Sequence, residues 1–206
     1  MKTKYSRKCI LAAIPELFNL LIHELVFMAR DKALDAELAD MKGLLDEDSY
    51  GNEDIELLRL SKNPLIKLSI EVVDSIWEIR EDYLQLNGFD DTGVPHSSLG
   101  EQLAIDLTDT FLVIEHYEST TDNTHRRYDD YMFFFETAPH VLYETAILLM
   151  TGETRMGDPE YCSVAWEKKD EIIFHLDRSD KNVNLLATAI EVLFIWQNRY
   201  YEVEDE

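Results

Sequence analysis

Cysteine is scarce in this 206-residue sequence, which contains only Cys9 and Cys162. Two cysteines are too few for a disulfide scaffold, and their separation does not match the ligand spacing of a zinc site. We therefore expect both to be free, reduced thiols.

A long uncharged apolar run is also missing. The segment 9–14 is apolar and follows several basic residues, as in a secretion signal, but Pro15, Glu16 and Asn19 interrupt it early. No uncharged stretch approaches the roughly 18 residues that a membrane helix needs. We expect a cytoplasmic chain with no membrane partner.

Basic residues are few relative to acidic ones: 19 Lys plus Arg face 42 Asp plus Glu, for a net charge of −23. Nucleic acids and anionic membranes bind clustered cations, so direct contact with either is disfavoured. A surface this negative would instead attract a basic protein, or resemble the polyanion that such a protein normally binds. The simpler alternative is that the charge only keeps the protein soluble.

Common catalytic signatures are absent from the sequence. It has no Gly-rich phosphate loop, nucleophile elbow or paired-cysteine motif, and none of its six histidines has a partner four residues away that would form a zinc face. This excludes the commonest enzyme classes and predicts no cofactor, and we favour binding over catalysis.

Apolar residues at helical spacing dominate the sequence. Ser98 and Glu101 form a capping box before an apolar run, so a helix should begin there and bury Leu103 and Leu107 on one face. A second, aromatic-rich pattern runs from Tyr128 to Met150, with a kink or break expected near Thr137 because Pro139 lacks an amide donor. We interpret the two as a central hairpin.

The remaining patterns predict helices before and after that hairpin. Pro15 should open the first helix, in its first turn, and Asn63-Pro64 and Asp180 should begin two later ones. The predicted spans are Pro15 to about Arg30, Ala33–Leu45, Asp54–Leu60, Asn63 to Asn87-Gly88, Tyr161–Trp166, Glu171–Leu176, and Asp180 to a frayed tail at 202–206.

The predicted fold is therefore all-α. We expect a single domain over residues 1–206, with roughly six to eight helices and a possible sub-boundary near 152–159, where two glycines and a proline suggest a linker. The carboxy-terminal helix should pack back on the central pair.

Pairs of carboxylates three residues apart occur at Glu71/Asp74, Glu78/Glu81 and Asp106/Asp109. This spacing puts two carboxylates on one helix face, where they could hold a divalent cation. Glu78/Glu81 followed by Asp106/Asp109 resembles the arrangement in helical nucleotide pyrophosphatases of the MazG and dimeric dUTPase kind, which implies magnesium and phosphate hydrolysis. The second pair begins with Asp instead of Glu, and no Lys or Arg cluster lies nearby. Solvated helix faces are the alternative.

A second resemblance lies between Glu81 and Leu149. The segments Glu81-Asp82-Tyr83-Leu84, Glu101-Gln102-Leu103-Ala104 and Phe133-Phe134-Phe135 with His140 are similar to a bacterial helical family known only as a domain of unknown function. Ile105 and Ala138-Pro139 depart from its pattern. The resemblance implies an all-α fold and carries no activity.

Together these features favour a non-enzymatic acidic binding protein, such as an immunity-type inhibitor or a nucleic-acid mimic that blocks a nuclease. Acidic residues in turns and at chain ends are the predicted contacts: Asp46, Glu47, Asp48, Asp90, Asp91, Asp129, Asp130, Glu202, Glu204, Asp205 and Glu206. The alternatives are the magnesium-dependent pyrophosphatase, with Glu78, Glu81, Asp106 and Asp109 as ligands, and a structural subunit or adaptor that uses an exposed apolar patch.

Overall fold

A computed structural model describes residues 5–35, 44–45, 52–86, 102–107, 130–152 and 173–204. Five helices lie within these ranges: α1 (Arg7–Asp35), α2 (Asn52–Leu58), α3 (Pro64–Leu86), α4 (Asp130–Thr151) and α5 (Lys181–Glu204). Residues 102–107 and 173–175 are also helical, and no strand occurs among the described residues. The predicted all-α fold is confirmed.

The four long helices form a bundle in which α1 and α5 each pack against both α3 and α4. Helices α1 and α5 begin at the same end, where Arg7 and Asp180 form an ion pair of 2.8 Å. At that end the Tyr5 amide also donates to the carbonyl of Gly152, which follows α4, over 3.0 Å. Neighbouring long helices are therefore antiparallel, and α5 packs on α4 as predicted for the carboxy-terminal helix.

Helix α1 contributes the largest share of the single hydrophobic core that joins these helices. Its buried residues lie on more than one side because it packs against α2, α3 and α4. By length and composition, Arg7–Leu34 is the one described helix that could cross a membrane, and 56% of its most apolar window is buried inside the bundle.

Two predicted helix starts are confirmed by their capping bonds. The Asn63 carboxamide accepts from the Leu65 amide at 2.9 Å, and Pro64 is the first residue of α3. The Asp180 carboxylate accepts from the Val183 amide at 3.3 Å as α5 begins. Helix α3 is described as far as Leu86, and Asn87-Gly88, where its end is predicted, lie outside the described residues.

The predicted bounds of the first helix are wrong. Helix α1 begins at Arg7, where Ser6 Oγ accepts from the Cys9 amide at 3.2 Å, and it continues to Asp35. Pro15 therefore lies inside the helix, and the carbonyl of Leu11, four residues earlier, cannot receive an amide hydrogen from it. The Tyr83 hydroxyl of α3 donates to that carbonyl instead, over 2.5 Å.

Burial keeps this hydroxyl in its donating form. Tyr83 is buried between the helices, and the loss of solvent raises its pKa well above the usual range, with a further increase from the charge of Asp180. The raised pKa favours the protonated phenol, the form that donates to the Leu11 carbonyl.

The structure also bears on the kink or break expected near Thr137, on the frayed tail and on the helix expected after Ser98. Of the kink or break expected near Thr137, the break is wrong because α4 runs through Pro139 without interruption. The frayed tail is wrong at its start, because α5 continues to Glu204. Leu103 and Leu107 are buried in helical residues 102–107, as expected, whereas Ser98 and Glu101 lie outside the described residues. Gly152 ends α4 at a φ of 70°, a conformation that glycine adopts without strain.

The Tyr83–Leu11 bond can be tested with a double-mutant cycle. Tyr83→Phe removes the donor and leaves a buried carbonyl unsatisfied, so the free energy of unfolding should fall by about 1–3 kcal/mol. In a Pro15→Ala background the restored amide at position 15 can reach the same carbonyl, and the loss should shrink to below about 1 kcal/mol. Urea denaturation of the four proteins measures both values. Equal losses in the two backgrounds would contradict this account of the bond.

Candidate functional site

The most regular charged surface in the described chain is an acidic face on α3, formed by Glu71, Asp74, Glu78, Glu81 and Asp82. At the helical repeat of 3.6 residues these five side chains fall within an arc of roughly 100°, opposite the buried stripe. We call this set the α3 acidic face.

Burial of the apolar side of α3 explains why the acidic face points toward solvent. Val72, Ile76, Ile79 and Tyr83 are buried in the core, as the apolar spacing predicts, together with neighbours that widen the buried stripe. Glu71, Glu78, Glu81 and Asp82 are exposed on the other side of the helix. Packing of the apolar stripe therefore presents the carboxylates to solvent.

One member of the face is neutralised by a basic residue from outside α3. Arg59, just after α2, donates from Nη1 and Nη2 to the two oxygens of Asp74 at 2.7 Å and 2.5 Å, and from Nε to Glu56 at 3.1 Å. The hydrogen bonds with Asp74, then its charge and the bond to Glu56, raise the pKa of Arg59 above its ordinary value. This bidentate pair ties the end of α2 to the acidic face.

The other four carboxylates of the face are not bonded to a cation in the described ranges, although Lys67, exposed on the same face, lies one turn before Glu71. Within the described ranges, Glu71, Glu78, Glu81 and Asp82 form no side-chain hydrogen bond or ion pair. Like charges three and four residues apart on a helix repel each other. The face therefore keeps its charge toward solvent and is available to a cationic partner.

The acidic contacts predicted from the sequence lie mostly elsewhere. Asp130 is the first residue of α4, and Glu202 and Glu204 lie in the last turn of α5, where Glu202 is exposed. The others lie outside the described residues: Asp46, Glu47, Asp48, Asp90, Asp91, Asp129, Asp205 and Glu206.

The predicted magnesium ligands are not brought together in the described part of the chain. Glu78 and Glu81 belong to the α3 acidic face, and Asp106 is an exposed residue near Tyr5. Burial raises the pKa of Tyr5, and the charge of Asp106 raises it further. Asp109 lies outside the described residues. No group of three potential metal ligands occurs among the residues that are described, so the magnesium site stays a prediction.

Three charged residues are buried among the described residues and were not singled out from the sequence as functional. Glu144 of α4 is 1% exposed, Arg30 of α1 is 3% exposed and Asp54 of α2 is 5% exposed. The Arg30 guanidinium lies 4.8 Å from the centre of the Phe27 ring and 4.0 Å from Asp31. The sequence pattern around these residues did not indicate that their side chains would be buried instead of exposed.

Comparison with protein-family models, with curated proteins and with solved structures found no match for this chain. The resemblances to the pyrophosphatases and to the helical family of unknown function thus stay predictions. The functional argument depends on the geometry of the surface alone.

The unpaired charge of the α3 acidic face has a measurable effect on stability. Glu78 lies three residues from Glu81 and four from Asp82, and each such like-charged pair destabilises a helix by about 0.2–0.5 kcal/mol. Glu78→Gln should therefore raise the free energy of unfolding by about 0.4–1 kcal/mol at low salt, with a smaller gain at high salt.

The matched control is Glu191→Gln on α5, which removes an exposed carboxylate that is paired with Arg178. That change should leave stability unchanged or lower it slightly. Thermal unfolding of both variants at two salt concentrations makes the comparison. A loss of stability in Glu78→Gln would show that its carboxylate has a stabilising partner.

Proposed function

We propose that this chain is an acidic binding protein of the inhibitor or antidote type. Its α3 acidic face occupies the nucleic-acid site of a basic partner protein and so blocks that site. The observation that carries the proposal is the row of exposed, unpaired carboxylates along one face of α3, whose opposite side is buried and well packed.

The linear arrangement of these charges supports a mimic of nucleic acid. Glu71 and Asp82 are separated by about 16 Å along the helix axis at a rise of 1.5 Å per residue. Because Arg59 neutralises Asp74, four free carboxylates occupy this length at an average of about one per 5–6 Å, against one phosphate per 3.4 Å along a single DNA strand. A protein groove that contacts a line of phosphates would meet a sparser line of negative charges.

Rigidity supports the same function. The acidic face is built on a helix of 23 residues whose opposite side is buried in the core, so the backbone positions that carry the carboxylates are fixed without a partner. Preorganised charges lose less conformational entropy on binding than charges on a loop. The net charge of −23 adds long-range steering toward a cationic surface.

The acidic turns and the end of α5 extend this proposal. Glu202 and Glu204 lie in the last turn of α5, and the remaining acidic contacts predicted from the sequence would enlarge the negative surface around the bundle. We expect these residues to contribute more to the rate of encounter than to the stability of the complex, because rim charges act mainly on association.

The test is capture of a partner from a lysate of the native host by the immobilised protein at low and high salt. We expect a stoichiometric basic protein that is released by salt and displaced by duplex DNA. For that partner, the double variant Glu78→Gln/Glu81→Gln should bind roughly twofold to thirtyfold more weakly, from the loss of two exposed charge contacts of about 0.2–1 kcal/mol each.

The control is the double variant Asp177→Asn/Glu191→Gln, which removes two exposed carboxylates that lie outside the proposed binding surface and changes the net charge equally. It should retain the affinity of the natural chain. Equal weakening by the two double variants would refute a specific role for the α3 acidic face. Magnesium-dependent turnover of a nucleotide that is lost in Glu78→Gln/Glu81→Gln would instead establish the pyrophosphatase.

A further inference from the structure

A groove opens beside α2 on the same side of the molecule as the Arg59–Asp74 pair. It has a volume of about 480 Å³ and is lined by Asn52, Glu53, Glu56, Leu57 and Leu60. Its surface is mainly apolar, and its lining residues come from two turns of helix and the turn that follows.

Leucine side chains and carboxylates lie side by side in this groove. Leu60 is 75% exposed, more than most aliphatic side chains in a folded protein, and Leu57 is partly buried against the core. Glu53 is exposed and makes no ion pair within the described ranges, and Glu56 shares Arg59 with Asp74. The groove is thus an apolar surface with an acidic rim.

The groove is joined to the α3 acidic face. Arg59 bonds Glu56 on one side and Asp74 on the other, so the rim of the groove and the face meet at this arginine. A ligand that covers both would need an apolar side chain at one position and cations along the rest of its length.

We infer that the groove and the α3 acidic face together bind a basic amphipathic helix of the partner protein. A leucine-type side chain of that helix fills the groove between Leu57 and Leu60, and its lysine or arginine side chains lie on the carboxylates. The charge of the rim selects this occupant, because an acidic or neutral apolar segment would be repelled or would leave the carboxylates unpaired. An amphipathic helix is the element that presents apolar anchors and charges on adjoining faces.

This inference rests on the proposed function and adds the apolar anchor to it. Charge alone would accept any cationic strand, whereas a buried anchor restricts binding to partners whose apolar side chain is in register with the cations. The partner's basic helix thus carries both the nucleic-acid contacts that the chain blocks and the anchor by which the chain recognises it.

Two synthetic helical peptides of equal length and equal lysine content test the inference, one with leucine at its apolar positions and the other with alanine. Titration of the full chain followed by NMR should give about fivefold to tenfold tighter binding of the leucine peptide, with shift changes at Leu57 and Leu60. Leu60→Ser should abolish this preference, and Ile195→Ser, at a 53% exposed residue of α5, should keep it.

The outcomes separate the two proposals. Equal affinity of the peptides, no binding of either, or loss of the preference in Ile195→Ser but not in Leu60→Ser overturns the anchor in the groove. Glu78→Gln/Glu81→Gln should weaken both peptides by the same factor. A leucine preference that persists in that variant while its affinity is unchanged would support the groove and count against the acidic face as the binding surface.

Discussion

The hydrogen bond from Tyr83 to the carbonyl of Leu11 supplies the donor that Pro15 lacks inside α1. A carbonyl that is shielded from water and left without a donor costs about 1–3 kcal/mol, more than one ordinary hydrogen bond contributes. The same bond fixes the rotation of α3 about its axis, because Tyr83 must face α1. Once that rotation is set, the apolar stripe of α3 is buried and its carboxylates face solvent. The bond that accommodates Pro15 and the burial of the apolar stripe of α3 thus require the same rotation, which leaves the acidic face toward solvent.

The helices with strong local signals could be predicted from the sequence. Asn63-Pro64 and Asp180 mark the starts of α3 and α5 by side chains that bond amides two or three residues away, and such short-range chemistry is visible in a linear pattern. The start of α1 could not be predicted in this way. Pro15 suits a first turn, and the donor that lets it lie inside a helix is 72 positions away from Leu11.

The candidate site was predictable only in part, for a related reason. The spacing of Glu71/Asp74 and Glu78/Glu81 shows that carboxylates share a helix face, but a metal site, a solvated face and a binding face all use that spacing. What separates these alternatives is the surroundings: Arg59 neutralises Asp74, and within the described chain no cation lies against Glu78 or Glu81. The position of Arg59 depends on how α2 packs beside α3. From the local sequence pattern alone, the partner contacts were instead expected in turns and at chain ends.

The ion pair between Arg7 and Asp180 joins residues 173 positions apart, and its distance along the chain bears on how the protein is made. During synthesis α1 leaves the ribosome before α2, α3 and α4, which cover its apolar surface only when they have been translated. Domains rich in such distant contacts expose apolar surface while they wait for their later segments. The side of α1 that packs on α4 stays uncovered longest, and the ion pair with Asp180 forms only after α4 has been made.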